Sequence, residues 1–315
     1  MAICAVNGCR FASMNADPWF VSLLFLVPLL AGVACRRSSG GAIEGAEPLH
    51  QAPVRYRSDG LTITGLLSKP VGKGPFPLVL VNHGGFDPAK SVARFLDAFA
   101  SHGFVALASD YRGCGGSQGK HEAVKGEVND VLAALRYAKT LPYVDGSRAV
   151  VWGFSHGGVL ALFAASREPA IRAVVNVQGP VEMADCWRHW VNNSDKPGLQ
   201  PLLGLSAIIG GTPDQVPAAW RERSALYAAG QIRCPVMLVY SDAGADEAVP
   251  TEQGRRMEAA LRAAGNSQVT LRLIPQAGHG LTPRAWAELL PEMVTFLQAQ
   301  SVAPDGRQPG PSAAE

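Results

Sequence analysis

The sequence has little charge and almost no excess of either sign. Charged residues make up 17% of its 315 residues, and 28 Lys and Arg against 26 Asp and Glu leave a formal net charge of +2 at pH 7. No basic stripe stands out, so nothing predicts a nucleic-acid partner. No period of roughly 20–50 residues stands out either, which argues against repeat architectures. Hydrophobic residues make up 47% of the chain, enough for a sizeable buried core.

Cysteine is scarce and scattered. The six cysteines form no C-x-x-C pair, and no histidines stand at a zinc-binding spacing from them, so the sequence predicts no metal site and no cofactor. Cys114, Cys186 and Cys234 lie in the globular part of the chain. Buried, unreactive thiols are the favoured interpretation there, and one disulfide among the three is the alternative.

A long hydrophobic run occurs near the N-terminus, from Trp19 to Ala34. At 16 residues it is shorter than the roughly 20 that comfortably span a bilayer, and it suits the apolar region of an export signal. Cys35, after Gly-Val-Ala, resembles a bacterial lipoprotein cleavage site. Arg36 and Arg37 would also suit a single membrane anchor with these arginines inside. We therefore predict an exported, periplasmic or membrane-anchored protein.

Short apolar segments alternate with helical ones from residue 51 onward. The segments that read as strands are Val54–Arg57, Leu61–Leu67, Leu78–Asn82, Phe104–Ala108, Ala149–Trp152, Ala173–Val177, Val236–Tyr240 and Val269–Ile274. Helical spacing occurs over Ser91–Ser101, Val124–Thr140, Gly158–Ala165, Thr251–Ala264 and Arg284–Gln300. This alternation predicts an α/β fold with a mostly parallel central sheet and helices on both faces. Functional residues of such sheets lie in the loops at the carboxyl ends of the strands.

The domain organisation follows from composition. Residues 1–35 are predicted to be a signal peptide or anchor, 36–50 a linker, and 51–300 the α/β domain. The alternation breaks over about 180–230, a stretch with several Trp, Pro and Gly that we interpret as a small helical cap over the strand ends. Residues 301–315 are rich in Pro, Gly and Ala and are predicted to be a flexible tail.

Ser155 is the candidate nucleophile. It is the centre of Gly153-Phe-Ser-His-Gly157, which follows the strand-like run Arg148–Trp152 and precedes a helical run. G-x-S-x-G between a strand and a helix exposes a serine hydroxyl at the end of a sheet. The alternative is that Ser155 is only a small turn residue. The pattern predicts a serine hydrolase.

His279 is the candidate general base. It lies in Gly278-His-Gly280, between the last strand and the last helix, 124 residues after the serine. This agrees with the chain order Ser, acid, His. The alternative is a surface histidine. Other histidines fit less well, since they lie in the linker, on earlier elements or in the cap: His50, His83, His102, His121 and His189.

Two aspartates compete for the acid that orients the base. Asp242 is closer to the end of the strand Val236–Tyr240, whereas Asp246 stands three residues before Val249-Pro250 and is favoured. Glu247 is a distant third.

Backbone amides are the candidate oxyanion donors. His83-Gly84-Gly85 follows an apolar strand, and the amides of Gly85 and His156 are predicted to face the developing oxyanion. The alternative for the two glycines is a tight turn only. Trp187 and Trp190 in the cap are weak candidates for substrate binding, because packing is the commoner role of tryptophan.

Several short motifs occur in a fixed order along the chain. They are Pro142-Tyr-Val-Asp145, Ser155-His-Gly-Gly158, Gly211-Thr-Pro213, Arg223-Ser224, Ile232-x-x-Pro235, Asp246-x-x-Val-Pro250 and Gly278-His-Gly280. In combination, over roughly residues 54–300, they resemble the catalytic domain of the prolyl oligopeptidase family and its dienelactone hydrolase-like and acylaminoacyl-peptidase-like neighbours. The resemblance implies an α/β-hydrolase fold, a Ser155–Asp246–His279 triad, and the amides of Gly85 and His156 as the oxyanion hole.

Two departures from the family pattern bear on the substrate. Large members carry a β-propeller ahead of this domain that filters peptides by size, and only about 50 residues precede the domain here. The segment Ser241–Asp246 also holds one residue more than the family's usual spacing. We expect an enzyme without a propeller that cleaves a small ester or a short peptide through an acyl-enzyme, with no cofactor. The alternatives are an aminopeptidase or oligopeptidase acting on short peptides, and a non-catalytic binding protein on the same scaffold.

Overall fold

Eight strands form in the part of the chain that the computed structural model describes, residues 50–302 apart from Pro197 and Ala243. They are β1 (His50–Ser58), β2 (Leu61–Lys69), β3 (Phe76–Asn82), β4 (Val105–Ser109), β5 (Val144–Phe154), β6 (Ile171–Val177), β7 (Val236–Ser241) and β8 (Val269–Ile274). Each predicted strand lies within or overlaps one of them, so all eight predictions are confirmed.

The same residues contain nine α-helices. They are α1 (Ala93–Ser101), α2 (Gly126–Ala138), α3 (His156–Arg167), α4 (Met183–Asn192), α5 (Gln200–Leu203), α6 (Leu205–Ile209), α7 (Pro217–Glu222), α8 (Glu252–Ala263) and α9 (Pro283–Gln300). Two 3-10 helices, Ala89–Val92 and Ala225–Gln231, accompany them. The predicted helices after Ser155 and over Thr251–Ala264 and Arg284–Gln300 are confirmed, with ends that differ by a few residues.

The eight strands form one sheet in the order β1-β2-β4-β3-β5-β6-β7-β8. β1 pairs antiparallel with β2, and β2 pairs antiparallel with β4. All the other neighbours pair in parallel. The sheet is therefore mostly parallel, as the alternation of strands and helices predicted.

Both faces of the sheet are buried. Leu78 and Leu80 of β3 belong to one hydrophobic cluster, and Val79 and Val81 belong to a second. Helices α2, α3 and α8 supply side chains to the first cluster, and α1 and α9 supply them to the second. Because successive side chains of a strand point to opposite faces, this double burial explains why the central strands are continuous apolar runs.

The strand order reverses at β3. The connection after β3 leads to β4 on one side, and the connection after β4 returns to β5 on the other side. Such a reversal opens a crevice at the carboxyl ends of the two central strands. His83 follows β3 and Ser155 follows β5, so both lie at this edge of the sheet.

The segment predicted to be a cap is largely helical, as expected. It contains α4 to α7 and the 3-10 helix Ala225–Gln231. Its apolar side chains form a small core with Ala123 from the loop before α2: Met183, Cys186, Trp190, Leu199, Leu205, Ile209 and Trp220.

Helix α2 begins at Gly126, two residues later than predicted. Ala123 and Val124 have φ of 54° and 67°, a left-handed conformation that cannot continue into a helix. The side chain of Glu127 accepts hydrogen bonds from the amides of Glu122, at 2.6 Å, and Lys125, at 3.0 Å. The predicted start at Val124 is wrong, because these bonds hold the preceding loop out of the helix.

The ends of the chain lie largely outside the described residues. These include the predicted signal or anchor over residues 1–35, Cys35 with it, and the linker up to residue 49. In the part that is described, no helix is both long enough and apolar enough to cross a bilayer. Ser301, the first residue of the predicted tail, is buried, and the carbonyl of Val302 accepts a hydrogen bond from Arg172 at 2.7 Å.

The three cysteines of the α/β domain are free thiols, so the alternative of a disulfide among them is wrong. Burial raises the pKa of Cys114 and of Cys234 to about 11. The thiolate is the reactive form of cysteine, so both side chains are unreactive near neutral pH.

Candidate active site

Ser155 lies on a sharp turn between β5 and α3. Its backbone has φ 53° and ψ −121°, a conformation that residues with a side chain rarely adopt. A Cβ at position 153 would overlap the carbonyl of Gly157, and a Cβ at position 157 would overlap the carbonyl of Asn82. The two glycines of the motif therefore allow β3, β5 and α3 to pack closely enough to hold the strained turn.

The Gly153→Ala variant should lower the free energy of unfolding by about 1–3 kcal/mol, the range typical of overpacking. The added methyl group meets backbone, which cannot move aside without shifting the turn. Urea denaturation measures the change. Gly230→Ala is the matched control, since a Cβ there has no atom within 4 Å, and its effect should stay within about 0.5 kcal/mol. Equal losses in the two variants would contradict the tight turn.

The structure brings together the three side chains that the sequence singled out. His279 Nε2 lies 3.0 Å from Ser155 Oγ, and His279 Nδ1 lies 3.0 Å from Asp246 Oδ2. The Asp246 side chain is fully buried, whereas that of His279 is 30% exposed. The ring therefore connects a carboxylate inside the protein to a hydroxyl that solvent can reach.

Asp246 is oriented by the loop after β7. Its Oδ1 accepts hydrogen bonds from the amides of Ala248, at 2.9 Å, and Val249, at 2.8 Å, which leaves Oδ2 for the imidazole. A carboxylate fixed in this way holds the ring of His279 in one orientation.

The competing acids face elsewhere. Asp242 Oδ1 accepts a hydrogen bond from the amide of Gln276 at 3.1 Å. The carboxylate of Glu247 forms an ion pair with Lys196 at 3.2 Å. The structure thus places Asp246, rather than Asp242 or Glu247, against the imidazole.

Gln178 is a site residue to which sequence reasoning assigned no role. Its Nε2 donates to the carbonyl of Gly278 at 2.6 Å, and its Oε1 accepts from the amide of Gly280 at 2.9 Å. The same Nε2 donates to Ser241 Oγ at 2.9 Å. One buried amide therefore fixes the backbone on both sides of His279. A glutamine directly after an apolar strand was the sequence signal that could have found it, and in the structure its φ is 49°.

The loop after β3 runs directly beside the serine. A Cβ at Gly84 would lie 3.1 Å from the Cβ of Ser155, whereas a Cβ at Gly85 would have no atom within 4 Å. Gly85 has φ 55°, which favours glycine. His156 is the first residue of α3, where helix amides have no partner within the helix. The loop and the helix start thus meet at Ser155.

The buried side chain of His83 holds this loop in place by contacts with backbone carbonyls. Its Nε2 lies 2.9 Å from the carbonyl of Ser109 and its Nδ1 lies 3.2 Å from the carbonyl of Gly84. Its ring packs on Tyr111 with centroids 4.2 Å apart. Burial lowers the pKa of His83, so the side chain is neutral near pH 7 and has a structural role.

Cap helix α4 holds the loop that carries Asp246. The indole N–H of Trp190 donates to the carbonyl of Ala248 at 2.7 Å, and His189 Nε2 lies 2.8 Å from the carbonyl of Glu247. Trp190 is only 3% exposed and packs in the hydrophobic cluster of the cap. Trp187 packs against Trp220 with ring centroids 5.8 Å apart. A part for Trp187 and Trp190 in substrate binding stays a prediction.

Solved hydrolases share this architecture. The Pyrococcus furiosus esterase Pf2001 matches with a TM-score of 0.65 at 18% identity, over 80% of this chain and 92% of the esterase chain. An acylaminoacyl peptidase of Pyrococcus horikoshii matches with a TM-score of 0.67 at 17% identity, over 81% of this chain and 42% of the peptidase chain. At such low identity the likeness shows the fold alone. The chain has the α/β-hydrolase fold that the sequence motifs implied.

Sequence comparison then gives the family. The model of the prolyl oligopeptidase family matches residues 91–302. The uncharacterized peptidase YtmA of Bacillus subtilis (strain 168) is 29% identical over 192 residues, which make up 60% of this chain and 71% of YtmA. The chain belongs to the prolyl oligopeptidase family and is a serine hydrolase.

Proposed function

We propose that this hydrolase cleaves esters of small molecules through a covalent acyl-enzyme, with Ser155 as nucleophile, His279 as general base and Asp246 as the acid that orients the base. The observation that carries the proposal is the pair of 3.0 Å contacts that runs from the serine hydroxyl through both ring nitrogens to a buried carboxylate. Nucleophile, base and orienting group within hydrogen-bond reach are the arrangement that activates a hydroxyl.

Each side chain has one task in the proposed reaction. Ser155 Oγ attacks the ester carbonyl while His279 Nε2 takes its proton, and Asp246 stabilises the imidazolium that results. The amides of Gly85 and His156 donate to the oxyanion of the tetrahedral intermediate. The imidazolium then returns the proton to the departing alcohol, which leaves an acyl group on the serine. A water molecule, activated by His279, releases the acid in the same way.

The choice between ester and amide substrates is the finer part of the proposal. Among the similar proteins, Pf2001 is an esterase, whereas YtmA and the Pyrococcus horikoshii protein are named as peptidases. The extra residue before Asp246 departs from the family's peptidase pattern, and this supports the ester.

Turnover of an ester and of aminoacyl anilides tests the choice. We expect kcat/KM for p-nitrophenyl butyrate to exceed kcat/KM for aminoacyl p-nitroanilides by at least about tenfold, a difference of about 1.4 kcal/mol in the barrier. Release of the chromophore measures both rates, and the Ser155→Ala variant supplies the background for each. Faster cleavage of the aminoacyl anilides would overturn the ester assignment and favour the peptidase alternative.

A further inference from the structure

Three side chains with metal-binding atoms converge next to the Ser155 turn. His156 is the residue after the serine, His121 comes from the loop before α2, and Glu127 lies in the first turn of α2. One ligating atom from each lies within 4.8 Å of the other two. His121 Nε2 is 3.5 Å from Glu127 Oε1, and the two imidazole rings have centroids 5.1 Å apart.

Both histidines leave a ring nitrogen without a partner. The Nε2 atoms of His121 and His156 are buried and make no hydrogen bond. The His121 side chain is only 10% exposed. Buried polar atoms in folded proteins are nearly always satisfied, so two unsatisfied imidazole nitrogens on neighbouring rings are candidates for binding a ligand.

Glu127 is fully buried and already fixed in place. Its two oxygens accept the amides of Glu122 and Lys125, one each. A carboxylate oxygen accepts in two directions, so each keeps a lone pair for a further contact. These bonds hold the strained loop at Ala123 and Val124, and that loop carries His121 towards His156. Strained backbone persists where the surrounding structure enforces it, which happens most often at functional sites.

We propose that His121, Glu127 and His156 form a binding site for a divalent transition metal of the Zn²⁺ class. Two imidazole nitrogens and one carboxylate oxygen are a donor set that suits zinc, while magnesium and calcium prefer oxygen ligands alone. A tetrahedral ion would keep a fourth position for water. Zn–N bonds of about 2.0–2.1 Å place ligand atoms about 3.4 Å apart, close to the 3.5 Å between His121 Nε2 and Glu127 Oε1, so His156 makes most of the approach on binding.

One local bond changes when the metal binds. The amide of Ala123 donates to His121 Nδ1 at 3.2 Å. A neutral imidazole with metal on Nε2 carries its proton on Nδ1, so this amide loses its acceptor. The ring of Phe86 lies against His121 with centroids 4.2 Å apart and covers one side of the cluster.

Spacing along the chain could not reveal this site. The three ligands lie on a loop, at a helix start and beside the serine turn, with 28 residues of chain between Glu127 and His156. This is why the sequence, read for zinc-binding spacings, predicted no metal. The site does not depend on the proposed ester hydrolysis, because metal binding is measured without turnover.

Zinc binding to the full chain tests the site. Protein freed of metal by a chelator is titrated with Zn²⁺ against a chromophoric competitor. We expect one high-affinity ion per chain, and a loss of affinity of more than about a hundredfold in His121→Asn. Removing a ligand should cost more than the 10–100-fold typical of changes to its outer partners. His102→Asn is the matched control, because His102 is exposed and lies at the end of α1.

A second variant and a second readout guard against misfolding and against binding elsewhere. His156→Asn should lose the same ion, and circular dichroism checks that both variants are folded. Co²⁺ in place of Zn²⁺ should give the visible absorption of a low-coordinate ion in the parent protein and not in His121→Asn. His279→Asn should keep the ion. Absence of stoichiometric binding, or loss of the ion in His279→Asn but not in His121→Asn, overturns the proposal.

Discussion

The Ser155→Ala variant is expected to lose at least about a thousandfold in kcat on p-nitrophenyl butyrate. Without the hydroxyl, no acyl-enzyme forms, and only the oxyanion donors and substrate binding remain to assist water. Removal of a triad serine elsewhere has cost about 10⁶-fold, with residual catalysis of about 10³–10⁴ over water. Steady-state release of p-nitrophenol measures the loss.

Ser166→Ala is the control for this variant. Ser166 lies on the same helix, α3, and its hydroxyl only donates to the carbonyl of Phe163 at 2.9 Å. It should keep activity close to that of the parent protein, and circular dichroism should be unchanged in both variants. A Ser155→Ala protein that is folded and retains more than a tenth of the parent rate would contradict the assigned nucleophile.

The Asp246→Asn variant should lower kcat by about 10⁴-fold, the loss known for the equivalent change in another serine hydrolase. An asparagine can present an N–H to His279 Nδ1, which would leave the proton on Nε2 and remove the lone pair that faces Ser155 Oγ, 3.0 Å away. Substrate binding depends less on this group, so KM should change far less than kcat. Initial rates across a range of ester concentrations separate the two constants.

Asp242→Asn is the matched control, because both aspartates lie in the loop after β7 and both accept backbone amides. Its kcat should stay within about threefold of the parent value, since it does not face the ring. A large loss in Asp242→Asn together with near-normal rates in Asp246→Asn would show that the acid is misassigned.

Local sequence patterns predicted the strands and the place of the serine turn. The central strands could be predicted because double-sided burial makes each a short apolar run bounded by turns. Ser155 lies between β5 and α3 as predicted. The flanking glycines marked this turn in the sequence, because a Cβ at either of them would overlap backbone atoms. His279 follows the last strand, and its neighbours Gly278 and Gly280 both have positive φ, 63° and 95°.

Contacts between distant segments could not be predicted in the same way. The sequence left Asp242 and Asp246 as rivals, and only the folded loop shows which one faces the ring. The part played by Gln178 depends on two glycines about a hundred residues further along the chain. The late start of α2 depends on a glutamate side chain that competes with the helix for backbone amides. Each of these features comes from a side chain whose partner is not fixed by spacing.

Labelling with a fluorophosphonate probe tests most directly whether one activated serine carries the reaction. The parent protein should acquire a single adduct, and peptide mapping by mass spectrometry should place it on the peptide that contains Ser155. His279→Asn should label far more slowly, since the serine then lacks its base. An unlabelled parent protein, under conditions in which a known serine hydrolase reacts fully, would contradict this account and favour a non-catalytic binding protein, and an adduct on another serine would contradict it as well.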